Sequence, residues 1–194
     1  MPVISMVIYA VVASFTPGPN NIMSLLFANQ YGFKRTVRFC LGVGTGFFAL
    51  LLLSSYFNLL LKNYIPKIEF FMAIVGMVYM LYLAFIIIRS KGDSEDPNGG
   101  KYNSFVAGLF LQFVNPKAVL YALTVVSTFV LPYHTSHSSL LFYSVVLAII
   151  GFMGTFSWSI FGSLFKKFLA KYRSQFNLVM ALLLVYSAVS ILVR

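Results

Sequence analysis

Acidic residues are nearly missing from this chain. Only 4 Asp and Glu stand against 14 Lys and Arg in 194 residues, a formal charge of +10. Charge of either sign is scarce, at 9% of residues, where a soluble domain carries about 25%. A chain so poor in charge cannot cover its own surface with polar groups. The basic excess does not imply nucleic acid either, because the cations are too few and too scattered to build a basic face. A single cysteine, Cys40, excludes a disulfide framework and any multi-cysteine metal site. What is present in their place is apolar: 60% hydrophobic and 18% aromatic residues. That balance describes an integral membrane protein.

The few charges fall in clusters, and the stretches between them give the spans. Charge-free segments run 1–33, 39–61, 70–88, 102–116, 118–165 and 174–193. A helix crossing the hydrocarbon core needs about 20 apolar residues. Six helices fit, at 3–28, 39–61, 69–89, 104–131, 140–164 and 175–193. The first is expected to be retained rather than cleaved as a signal peptide, since the first basic residue is Lys34 and a basic n-region is lacking.

Sorting the cations by side tests that count. The loops after helices one, three and five hold Lys34, Arg35, Arg38, Arg89, Lys91, Lys101, Lys166, Lys167, Lys171 and Arg173. The other side holds only Lys62, Lys67 and Arg194, and Lys117 lies inside a span. By the positive-inside rule the first group is cytoplasmic and both termini face outward. Tyr31, Tyr64, Tyr102, Tyr133, Tyr143 and Tyr172 fall near helix ends, as interfacial anchors do. The polar segment RSKGDSEDPNGGKYN (89–103) reads as a cytoplasmic linker between two three-helix halves. The chain is thus one transmembrane domain, 1–194, with repeat one at 1–89, a linker at 90–103 and repeat two at 104–194.

The halves echo each other. Gly18-Pro19-Asn20-Asn21 in helix one matches Asn115-Pro116-Lys117-Ala118 in helix four, the prolines being 97 residues apart. Gly46 and Gly154 are 108 apart, and MVYML (77–81) and LVYSA (184–188) are 107 apart. Three helices per repeat is an odd number, so the second copy is expected to enter from the opposite side. This is the inverted-repeat arrangement of secondary transporters, whose sites lie at interrupted helices near the midplane.

The interruptions carry specific chemistry. In TPGPNN (16–21), Pro17 and Pro19 remove backbone donors and Gly18 loosens the chain between them. The freed carbonyls must face protein or a watery cavity, because lipid offers no partner. Asn20 and Asn21 begin a resumed half-helix whose free N–H groups favour an anion such as a carboxylate. The plainer reading is a kink that shapes packing, with Asn20 bonding the freed carbonyls. Lys117, deep in helix four, costs about 2.5–3.5 kcal/mol to insert, so it is expected to face a cavity or partner. It is either a cationic contact for a substrate carboxylate, a group whose protonation changes during transport, or a structural cap on carbonyls freed by Pro116. Asn115 and Gln112 either contact substrate or cross-link helices. Pro17, Gly18, Pro19 and Pro116 are the expected hinges.

Glu69, Asp93, Glu95 and Asp96 all fall at a span edge or in a loop. A span interior without carboxylates argues against a cationic substrate, a bare metal ion or a carboxylate proton relay. Gly42 and Gly46 form a GxxxG pair suited to close helix packing. His134 and His137 read as solvated loop residues, Cys40 as inert, and Trp158 as a lipid or helix contact. There is no nucleophile–base pair and no phosphate-cradling loop, so catalysis, cofactors and bound metal are not expected.

Taken together, TPGPNN, GFKRTVR (32–38), LQFVNPK (111–117) and MALLLVYSAV (180–189) resemble the LysE/RhtB amino-acid exporter superfamily. With STFVLP (127–132) the resemblance is nearest to its members that export cysteine and O-acetylserine. The resemblance covers nearly the whole chain. It implies a six-helix carrier of the bacterial inner membrane, an amino-acid substrate and a proton as coupling ion. Members that export basic amino acids carry an Asp in the second span and another after the fourth-span Asn-Pro. The corresponding GVGTG (42–46) and PKAVLYA (116–122) have none. Neutral substrates of the cysteine, O-acetylserine, homoserine or threonine class are therefore expected. Asn20, Asn21, Gln112, Asn115 and Lys117 would bind them. The partners expected are the substrate, the proton, the lipid bilayer and a second copy of the chain. A passive channel for small solutes, or an exporter of basic amino acids, is the alternative.

Overall fold

The structure, a computed structural model, describes residues 2–61, 65–89 and 102–192. Tyr64, Arg194 and nearly all of the 90–103 linker, with its three acids, lie outside the described residues. Regular structure within them is entirely helical: α1 Val3–Phe15, α2 Pro19–Tyr31, α3 Phe33–Leu61, α4 Ile65–Arg89, α5 Phe105–Val114, α6 Pro116–Val125, α7 His137–Leu164, α8 Lys166–Lys171 and α9 Arg173–Leu192. A π-helical turn, Val126–Val130, continues α6.

Local chemistry explains the boundaries. Pro19 and Pro116 each occupy the first position of a helix, where a missing N–H costs nothing. Gly32 ends α2 at φ 86°, a left-handed conformation that glycine alone adopts cheaply. The Ser104 side chain caps α5 by accepting from Ala107 N, and Ser136 caps α7 by accepting from Ser139 N.

Both expected breaks are present. The axes of α1 and α2 bend by 47°, and those of α5 and the helix from Pro116 to Val130 by 66°. Among the described residues three helices are long and apolar enough to cross a membrane, or up to five if each bent pair is one span. Helix α9 occupies the place of the sixth expected span. It packs along α4 through Met80, Ala84, Ile87, Met180, Leu184 and Ala188. The short α8, between the fifth and sixth expected spans, was not anticipated in the sequence.

Packing is dense where the site is built. Helix α3 lies between α5 and α7, and α2 lies against α7. The GxxxG pair has a clear purpose: a Cβ on Gly42 would strike the Phe105 carbonyl, and one on Gly46 the Leu109 carbonyl. Gly108 answers from α5, backed against the Phe39 carbonyl. Backbone-to-backbone contact of this kind holds α5 against α3, and Gly154 and Gly162 hold α7 in the same way against Ser14 and Leu25 of the α1–α2 segment. A second apolar cluster, with Met6, Phe47, Leu51, Ala122, Val125 and Leu147, seals one end of the space between the two broken segments.

Candidate functional site

The two prolines of TPGPNN cancel the amide donors that Ala13 O and Phe15 O would have used in an unbroken helix. Both oxygens are satisfied by side chains. The Thr16 hydroxyl donates to Ala13 O at 3.1 Å, and Trp158 Nε1 on α7 donates to Phe15 O at 3.0 Å. The neighbouring carbonyls, stranded by the bend, are also filled. Asn21 Nδ2 donates to Ser14 O at 2.8 Å and to Thr16 O at 2.9 Å. Ser187 on α9 donates to Pro17 O at 3.1 Å. Helical bonding resumes at Gly18 O, which accepts from Ile22 N at 3.0 Å. Every carbonyl from Ala13 to Gly18 therefore has a donor, as burial in a membrane requires.

Lys117 joins the same break from the start of α6. Its Nζ donates to Thr16 O at 3.0 Å, Thr16 Oγ1 at 2.9 Å and Pro17 O at 3.1 Å. An ammonium has three donors, so all are engaged, and by uncharged oxygens. Gly18 makes room for this: a Cβ there would lie 2.9 Å from Lys117 Cδ. The structural alternative for Lys117 thus takes a different form from the one expected. It caps the break in helix one, not the carbonyls freed by Pro116.

Carboxamides link the two breaks further. Asn115 Nδ2 donates to Asn20 Oδ1 at 2.9 Å, and Asn20 Nδ2 donates to Gln112 Oε1 at 2.8 Å. Gln112 Nε2 ends the relay on Gly108 O at 3.1 Å. Asn115 Oδ1 meanwhile caps α6 by accepting from Lys117 N at 3.1 Å. Asn20 and Asn21 diverge because successive helical residues point about 100° apart. Asn20 faces the second break. Asn21 faces its own break, and its Oδ1 accepts from Thr155 at 3.1 Å.

These groups surround a narrow cavity of about 50 Å³, below the range of drug-sized ligand sites. Asn20, Asn21, Gln112, Asn115 and Lys117 all line it, with Gly18 and Pro19. Every residue expected at a substrate is thus gathered at one place. Among the described residues no Asp or Glu lines it. Apolar walls come from Phe47 and from Tyr121, whose ring stacks on Tyr9 at 5.6 Å.

Sequence reasoning missed four participants. The Tyr121 hydroxyl is buried without a hydrogen-bond partner and borders the cavity, which marks it for a ligand. Thr155, Trp158 and Ser187 are the others, holding Asn21 and the break carbonyls. Trp158 is therefore a carbonyl cap as well as a packing residue. His134 and His137, expected to be solvated rather than metal-bound, are half-buried and exposed respectively, and each also meets a tyrosine. His134 Nε2 lies 3.2 Å from the Tyr143 hydroxyl and His137 Nδ1 lies 3.3 Å from that of Tyr56.

The sequence itself now identifies this architecture. The family model described as LysE type translocator matches residues 11–194. The chain belongs to the LysE-type translocator family. Curated relatives agree. The cysteine/O-acetylserine efflux protein of Escherichia coli (strain K12) is 39% identical over 183 residues, covering 94% of this chain and 93% of that protein. The cysteine/O-acetylserine efflux protein of Shigella flexneri matches at the same identity and coverage. No solved structure matches the chain. Membership of a translocator family, which is not an enzyme family, together with helices apolar enough to span a bilayer, makes this a bacterial membrane transport protein.

Proposed function

We propose that this protein exports small neutral amino acids or their derivatives, of the cysteine and O-acetylserine kind, across the cytoplasmic membrane. Homoserine and threonine belong to the same size and charge class. The observation that carries the reading is the cavity's donor set: one ammonium, three carboxamides at the junction of the breaks, a free tyrosine hydroxyl and no carboxylate among the described residues. An amino acid presents one carboxylate and one ammonium. The carboxylate pairs with Lys117, the only cation among the described residues that line the cavity. The ammonium is accepted by the second lone pairs of the Asn20 and Gln112 carboxamide oxygens. A second cation on the side chain, as in lysine or arginine, finds no anion there. The efflux activity of the relatives supports the same choice.

The transport cycle is alternating access by a six-span carrier built as two inverted repeats, driven by the proton gradient with both termini outside. Packing at the level of spans supports the pseudo-twofold exchange. Span two meets span four as span five meets span one, while spans two and five, and three and six, pair with each other. Pro17, Gly18, Pro19 and Pro116 are the hinges, and the two breaks move relative to one another as the cavity opens to each side in turn.

Counterflow in proteoliposomes tests this. Vesicles loaded with unlabelled cysteine or O-acetylserine should transiently accumulate the labelled compound, and loading with threonine or homoserine should give weaker accumulation. Accumulation restricted to lysine or arginine would sink the electrostatic assignment. Unsaturable flux without counterflow would make the protein a channel.

A further inference from the structure

A second cavity lies away from the transport site. It is a lateral groove of about 740 Å³, bounded by α2, α7, α8 and α9. Leu25, Trp158, Phe161, Phe168, Phe176 and Val179 make its walls almost wholly apolar. Its rim is different. The eight residues from Lys166 to Arg173, which flank one end of the groove, hold four cations, Lys166, Lys167, Lys171 and Arg173, all exposed. Arg173 lines an adjoining cavity that shares Phe176 with the groove. Lys171 Nζ sits 5.4 Å above the ring of Tyr172, which itself lines the groove. No Asp or Glu occurs in the sequence after Asp96 to neutralise them.

An apolar trough ending in a cluster of exposed cations, none of them ion-paired among the described residues, matches a molecule with an acyl chain and an anionic head. We propose that this groove binds an anionic phospholipid of the cytoplasmic leaflet, its acyl chain against Trp158 and Phe176 and its phosphate at Lys171 and Arg173. Basic pockets on the cytoplasmic ends of membrane helices are suited to such headgroups. A second copy of the chain fits less well, because its own basic rim would add like charge. The position also gives the lipid a route to the transport site. Leu25 belongs to the half-helix that resumes after the first break, and Trp158 holds the Phe15 carbonyl at 3.0 Å. Occupancy of the groove therefore bears on both sides of that hinge.

Trp158 is the only tryptophan in the chain, so its fluorescence reports the groove directly. The purified protein is reconstituted in phosphatidylcholine vesicles doped with acyl-brominated phosphatidylglycerol, or with brominated phosphatidylcholine at the same mole fraction. Each basic side chain at an anionic surface is worth about fivefold in affinity. The brominated anionic lipid should therefore quench half-maximally at a mole fraction lower by on the order of tenfold. The double variant Lys171→Gln/Arg173→Gln should remove that preference while quenching by the zwitterionic lipid persists. The control Lys34→Gln/Arg35→Gln, on another loop, should retain it. Equal quenching by the two lipids in the unaltered protein would overturn the proposal. So would a preference that survives in the Lys171/Arg173 variant. Quenching by neither lipid, together with a protein-concentration-dependent dimer, would assign the groove to a second copy and also overturn it.

Discussion

Replacing Lys117 with Met should leave the protein folded and stop transport. The structural side of that expectation follows from what the ammonium leaves behind. Thr16 O keeps its bond from Asn21 at 2.9 Å and Pro17 O keeps its bond from Ser187 at 3.1 Å. The Thr16 hydroxyl stays bonded to Ala13 O at 3.1 Å. A buried polar group left wholly unpaired costs about 1–3 kcal/mol, and none of the three is left in that state. Met also removes a charge whose insertion costs about 2.5–3.5 kcal/mol, offsetting the lost bonds. The net change should lie within about 2 kcal/mol of zero, a melting shift under about 8 °C. Transport is another matter. Losing one member of a buried, hydrogen-bonded charge pair costs about 2–5 kcal/mol, so uptake by counterflow at low substrate should fall at least about 30-fold. Lys117→Arg should not rescue it. The side chain runs against Gly18, where a Cβ would already lie 2.9 Å from Lys117 Cδ, and a planar fork does not suit three oxygens converging on one point. Counterflow and thermal unfolding are measured on the same preparations. Transport within threefold of the unaltered protein would refute the substrate role. A melting loss beyond about 15 °C would make Lys117 chiefly a structural strut.

Three other substitutions separate framework from function. Tyr121→Phe removes a buried hydroxyl that has no partner, so melting should hold steady or rise, while the apparent KM in counterflow should rise about fivefold, the worth of one hydrogen bond of about 1 kcal/mol; an unchanged KM would place the hydroxyl outside the substrate's reach. Trp158→Phe strips Phe15 O of its donor and should cost about 1–3 kcal/mol, read as a lower midpoint in thermal unfolding followed by circular dichroism; an unchanged midpoint would mean that water replaces the indole. Gly108→Val drives a side chain into the Phe39 carbonyl and should cost about 3 kcal/mol or more as α3 and α5 are forced apart. That loss should appear as a diminished monodisperse fraction on size-exclusion chromatography, and full recovery of folded protein would show the helix pair to be more compliant than its packing implies.

The bent helices were legible because proline acts locally. Pro17, Pro19 and Pro116 each delete a donor at a known position, and the nearby Asn residues advertise a polar repair. Apolar helices of membrane-spanning length were legible for a similar reason, since charge-free length is a property of the linear chain; among the described residues three such helices are present, or up to five if each bent pair is one span. The caps were not. Trp158 and Ser187 meet the first break from 143 and 170 residues away, and nothing in their own segments marks them. A membrane-helix serine or threonine can always bond the preceding turn, as Ser55 does to Leu51 O at 2.9 Å and Thr45 to Leu41 O at 2.9 Å. A hydroxyl in the sequence therefore carries no sign of whether it serves its own helix or another. Asn20 and Asn21 show the same limit at closer range: adjacent, chemically identical, and committed to different breaks.

The distribution of acceptors around Lys117 has a consequence for the proposed cycle. Its three donors already meet three oxygens of the first break. A substrate carboxylate can reach the ammonium only by displacing at least one of them. Two of those oxygens, Thr16 O and Pro17 O, have second donors in Asn21 and Ser187, so the displacement leaves no carbonyl orphaned. What it loosens is one tie between α6 and the α1–α2 break, the Asn115–Asn20 bond being a second. Binding and hinge loosening are then linked, because the charge that attracts the substrate is one of the groups that hold the breaks together. In the Lys117→Met protein that tie is absent from the start. The two breaks should exchange between orientations without substrate, and accessibility of a cysteine placed at Ser14, with Cys40 replaced by Ser, should no longer depend on added O-acetylserine. Retention of substrate-dependent labelling in that variant would separate the cation from the hinge.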